Sequence, residues 1–188
     1  MSGRVLLAGV GYPDLRDYSV GPVMIERLAP HHWDGEVVVE DLSFNPIAVV
    51  QRLDDDPPER RFSRAIFVAG VSRAPWRQPG SVHSYRWDGI LPDAEDIQRA
   101  VTEAVTGVIL LDNTLVVCRH FAALPGQVIV VEVEPLLHEF GEGFSPEVAQ
   151  GFETATELVI ALAEDPARGD ALPLRPLGGG LQTWVRVP

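Results

Sequence analysis

Three widely spaced runs of consecutive apolar residues restrict the folds open to this chain more than any other feature. Residues 4–10 (RVLLAGV), 64–71 (RAIFVAGV) and 127–133 (QVIVVEV) are short, β-branched and free of polar alternation. Runs of that kind suit strands buried on both faces, as in parallel sheets covered by helices. A further strand is expected at residues 36–40 (EVVVE). Helical spacing fills the gaps. Val20, Val23, Met24 and Leu28 share one face before Pro30, and a short helix is expected over 47–53. Others are expected over 93–106, over 113–123 with Asp112 as N-cap, and over 145–163 with Ser145 as N-cap and Pro146 in the first turn. Val148, Phe152, Ala155, Val159 and Leu162 form the expected buried stripe of the last. Residues 81–87 alternate like an antiparallel strand. The reading is a three-layer α/β sandwich: a mainly parallel twisted sheet of about five strands with one antiparallel strand, and helices on both faces.

The chain has 188 residues, a length that one hydrophobic core can organise. Residues 1–163 are read as the α/β domain. Residues 164–188, rich in Pro and Gly, are read as a surface tail dispensable for folding. The formal charge of −12 argues against nucleic acid or an anionic membrane as partner, since both need a positive field. No apolar run approaches the ~18 residues of a membrane span, and the N-terminus resembles no cleaved signal, so a cytoplasmic protein is expected.

Local motifs add little. Gly9-Val10-Gly11 follows the first strand, but the dinucleotide fingerprint needs a third glycine where Asp14 stands, and Asp14 and Asp17 would repel an anion. None of the five histidines has metal-ligand spacing. His138, between Glu134 and Glu139, reads first as a surface residue. Asp54, Asp55 and Asp56 read as a solvated loop. Cys118 cannot form an internal disulfide, and its apolar helix suits a structural thiol.

Taken in order, the segments resemble the maturation endopeptidases of nickel-iron hydrogenases. The resemblance is carried by the turn Gly9-Val10-Gly11-Tyr12-Pro13-Asp14-Leu15-Arg16-Asp17-Tyr18-Ser19-Val20-Gly21 and the strand end Phe67-Val68-Ala69-Gly70-Val71. Pro79-Gly80-Ser81-Val82, Leu124-Pro125, Glu134-Pro135 and Gly143-Phe144-Ser145-Pro146-Glu147-Val148 follow at sensible spacings. It spans roughly residues 4–162 and implies an α/β fold and action on a hydrogenase large-subunit precursor. It also implies three nickel ligands: an acidic residue in the first turn, an aspartate ending the third strand and a histidine before the penultimate helix.

Those positions fall on Tyr18, Gly70 and Gly107, or on Asp93 in place of Gly107 if Pro92 sets the alignment. The family's loop after strand two is replaced by Asp41-Leu42-Ser43-Phe44. No cofactor is therefore expected, and nickel only if the family activity is retained. Asp17 and Asp112 are the candidate catalytic residues. Tyr18, Asp41, Gly70, Ser72, Arg73, Asp93, Thr106 and Asn113 are candidates for the pocket around them. The leading expectation is a non-catalytic, chaperone-like factor in large-subunit maturation. The alternative is an endopeptidase that removes the subunit's C-terminal extension with rearranged carboxylates. A third reading is a small-molecule-binding domain unrelated to hydrogenases.

Overall fold

The computed structural model describes residues 3–181. Its sheet has six strands: β1 (Val5–Gly9), β2 (Val37–Asp41), β3 (Arg64–Gly70), β4 (Val82–Trp87), β5 (Gln127–Val133) and β6 (Leu174–Arg175). The spatial order is β2-β1-β3-β5-β4-β6. Strands β1, β2, β3 and β5 run parallel, β4 is antiparallel to β5, and β6 pairs with β4. Every residue of β1 and β3 is buried, which is what their unbroken apolar runs require of central strands. β2, at the edge, is half-buried.

Helices cover both faces. α1 (Val20–Leu28) and α5 (Pro146–Glu164) pack on one side, through Val20, Met24, Val148, Phe152 and Val159 against Leu7, Ile66 and Val131. α2 (Pro46–Asp54), α3 (Ala94–Val105) and α4 (Leu111–His120) cover the other, bringing Val49, Ala100, Leu115 and Cys118 onto Leu6, Phe67 and Val130. The stripe expected on α5 is buried at every position.

Three local expectations need correction. Asp112 does not cap α4: the helix begins at Leu111, two residues before its expected start, so Asp112 lies inside its first turn, and the Asp112 carboxylate is taken by Arg73. Ser145 stands at the N-cap of α5, yet its hydroxyl donates to Asp17 instead of satisfying the helix. Asp54 closes α2 and Asp56 pairs with Arg4 at 2.7 Å, so this acidic run is not simply a solvated loop.

The segment from 164 onward, expected as a tail, also folds back. α6 (Pro166–Ala171) starts at a proline, which suits a first helical turn, and Asp165 caps it. β6 then adds to the sheet, and a 3-10 turn at Leu177–Gly180 buries Leu177 against the core. The Gly178 N–H donates to the Tyr85 hydroxyl at 3.0 Å. Pro and Gly mark tight turns here, not disorder. Trp184, the one tryptophan after residue 163, lies outside the described residues.

Among the described residues, no helix is long and apolar enough to cross a membrane.

Candidate active-site cleft

In an open parallel sheet, ligands bind beyond the carboxyl ends of the strands where the chain switches direction. Here that point lies between β1 and β3. A cavity of about 590 Å³ opens there, within the usual range for small ligands or a few peptide residues. Val10, Gly11, Tyr12 and Tyr18 line it from the first turn, residues 69–73 from β3, Arg99 and Glu103 from α3, and residues 109–113 from the start of α4.

Tyr18 and Gly70 therefore share one cleft, as the resemblance requires, and Ser72, Arg73, Asp112 and Asn113 join them. Gly107 does not line it. That residue ends α3 with φ +86° and an open surround, where glycine serves as a left-handed helix stop. Thr106 is exposed, its hydroxyl donating to the Glu103 carbonyl. Asp93 caps α3 by accepting the Asp96 N–H at 2.9 Å and is not among the residues that line the cleft. Asp41 lines a separate cavity of about 520 Å³ beside α1, with Asp14, Glu26 and Glu142.

Asp17 is fully buried behind this wall. Its Oδ2 accepts from the N–H groups of Leu136 (2.9 Å) and Leu137 (2.8 Å) and from the Ser145 hydroxyl (2.8 Å), and its Oδ1 from the Ser145 N–H (2.7 Å). Burial opposes its charge, but these donors outweigh burial and hold the carboxyl below its ordinary range. With four donors on two oxygens, Asp17 is a clamp on the loop after β5. It has little left for a metal or a water.

Tyr18 remains at the cleft. Burial pushes its phenol up; a bond to Ser72 opposes this, and the Glu134 and Asp17 carboxylates reinforce it. Its ring lies 4.6 Å from that of His138, on the same loop that Asp17 clamps. A Cβ on Gly70 would stand 2.4 Å from the Asp17 carbonyl oxygen, so no side chain fits there without moving backbone. The residues at the three family positions, one neutral phenol and two glycines, do not fit a nickel ion.

The strongest electrostatic feature is one the sequence did not reveal. Arg73, 4% exposed, meets Asp112 end-on, Nη1 to Oδ2 at 2.7 Å and Nη2 to Oδ1 at 2.8 Å. Its Nη2 also contacts Glu132, a fully buried residue next to the C-terminal end of β5's apolar run. Arg77 binds the other Glu132 oxygen at 2.5 Å, and the Tyr85 hydroxyl donates to Glu132 at 3.3 Å. Burial lowers the basicity of Arg73, and Asp112 and Glu132 reverse that and raise it. Glu134 accepts the Arg73 N–H at 3.0 and 2.7 Å and the Ser72 hydroxyl at 3.1 Å; burial still pushes its carboxyl up. Glu132 interrupting an apolar strand, with Glu134 just beyond its end, was the available signal, since a buried carboxylate needs a cation or several donors. Which cation answers them depends on the loop after β3. On the opposite wall, Asn113 donates to Glu103, and the Tyr12 hydroxyl accepts the Ile109 N–H at 2.7 Å.

No protein-family model matches the chain. No curated protein sequence matches it either. Solved structures do. A hydrogenase 2 maturation peptidase from a Thaumarchaeota archaeon aligns over 86% of this chain and 99% of its own, with TM-score 0.58 and 22% identity. The hydrogenase maturating endopeptidase HybD of Escherichia coli aligns over 90% and 95%, with TM-score 0.59 and 21% identity. The endopeptidase HycI of Escherichia coli aligns over 91% and 96%, with TM-score 0.61 and 17% identity. The six-stranded sheet with its helical layers thus has the fold of these hydrogenase maturation proteases.

Proposed function

We propose that this chain acts in the maturation of a nickel-iron hydrogenase large subunit as a non-catalytic, chaperone-like factor that holds the precursor at the cleft. The fold and the ordered motifs support the setting. The chemistry of the cleft supports the non-catalytic role, and one observation carries it: Asp17, the acidic residue adjoining the Tyr18 position, is saturated by four donors, beside Tyr18 and Gly70.

The surroundings suit a protein partner. Leu110, 45% exposed, lines the cleft. Leu136 and Phe140 are exposed on the loop that carries His138, Phe140 at 88%. Apolar side chains so exposed beside a cavity are a usual mark of an interaction surface.

The test is to mix the protein with a nickel-loaded large-subunit precursor and follow both association and subunit mass. A stable complex with a full-length subunit is the expected result. A shortened subunit would replace this reading with an endopeptidase using a rearranged carboxylate site at Asp112. Absence of any association would remove the hydrogenase setting.

A further inference from the structure

We propose that the Arg73 guanidinium is the resident cation of this cleft, holding Asp112 and Glu132 as a divalent ion would, and that removing it unmasks a two-carboxylate cation site.

The geometry is specific. One atom, Arg73 Nη2, contacts both Asp112 Oδ1 (2.8 Å) and Glu132 Oε1. Carboxylates brought onto a single nitrogen lie close enough to share a small hard cation after a modest inward shift, since an ion such as magnesium takes oxygen donors at about 2.0–2.1 Å. The Arg73 Nε is buried and makes no hydrogen bond among the described residues. The two carboxylates therefore hold the head group, as they would hold an ion.

The main chain fixes the other end. The Arg73 N–H donates to both Glu134 oxygens at 3.0 and 2.7 Å, which aims the side chain from the end of β3 across the cleft to α4. Glu132 comes from β5 and Asp112 from α4, so Arg73 ties three elements together at one point. Arg77 balances the remaining Glu132 oxygen and leaves the Asp112 side unneutralised if Arg73 is lost. Among the described residues, no group of three or more His, Cys, Asp or Glu is placed to hold a metal ion, so a vacancy at Arg73 would offer two carboxylates and solvent.

The experiment titrates manganese into the full-length wild type and Arg73→Ala, reading calorimetry and the loss of the free-ion paramagnetic resonance signal. Wild type is expected to bind no ion tightly, and Arg73→Ala to bind one at least roughly tenfold more tightly than wild type. Adding Asp112→Asn to Arg73→Ala should abolish that gain. Equal binding by wild type and Arg73→Ala, whether weak or tight, would overturn the proposal, as would a gain that survives Asp112→Asn. If Arg73→Ala is recovered unfolded, it is refolded from urea with and without millimolar manganese. Native circular dichroism regained only with the ion supports the proposal, and no recovery with it overturns it. Cation binding is read without any partner protein, so this outcome is independent of whether a hydrogenase subunit is recognised.

Discussion

Asp17 and Ser145, far apart in sequence, are joined by two hydrogen bonds: the Ser145 N–H and hydroxyl donate to opposite carboxylate oxygens at 2.7 and 2.8 Å. The first turn is thereby locked to the start of α5, and the loop between β5 and α5 is held against the first turn through Leu136 and Leu137. The carboxylate that the sequence offered as a catalytic group is a tie between the first turn and the start of α5.

Asp17→Asn should accordingly destabilise the fold, by about 2–4 kcal/mol at neutral pH, because it removes charge from a buried acceptor of several donors. The folded carboxyl titrates below its ordinary value. Its contribution is therefore complete above the unfolded pKa of about 3.9 and disappears as pH falls through the lower folded value. Urea denaturation over an acid series should show the two proteins converging at the lowest pH. A constant difference across the series would assign the stability to shape alone.

Restoring the family's ligands is expected to fail at Gly70 for steric reasons. Gly70→Ala places a Cβ 2.4 Å from a backbone oxygen and should cost about 1–3 kcal/mol. Gly107→Ala meets no neighbour within 4 Å but must adopt φ +86°, at about 1–2 kcal/mol. Chemical denaturation of both variants checks this, and a neutral Gly70→Ala would mean that the first turn can retreat.

The segment after residue 163 should prove necessary, contrary to its composition. Leu177→Ala empties a buried site and is expected to cost about 2–3 kcal/mol. A chain ending at Ala163 also loses β6 and the Gly178 partner of Tyr85, and should unfold at lower urea than the full chain. Equal midpoints would restore the tail reading.

Cys118 is fully buried in α4, and burial, with the Asp54 carboxylate adding to it, pushes its thiol up to about 12. It should stay unmodified by a thiol reagent in the native protein and react only in denaturant. Prompt labelling of the folded chain would contradict this packing.

The strands and the α5 stripe were legible in the sequence because their signals are local. A strand buried on both faces is an unbroken apolar run, and a helix face repeats every three to four residues, whatever the rest of the chain does. The ordered motifs were enough to anticipate the fold. Tyr18 and Gly70 could be placed at one cleft because each ends or follows a parallel strand, and parallel strands end on the same edge.

The chemistry at that edge was decided only in three dimensions. Nothing near Asp17 in sequence announces that residues 136, 137 and 145 will supply its donors. Glu132 stands out in β5 and Glu134 just after it, but the arginine that answers Glu132 sits on a loop some sixty positions earlier, and Asp112 completes the set from a helix. Likewise Leu177 is one leucine among prolines and glycines until β4 brings its neighbours to it. Charge pairing and burial depend on which surfaces meet, and chain closure alone determines that.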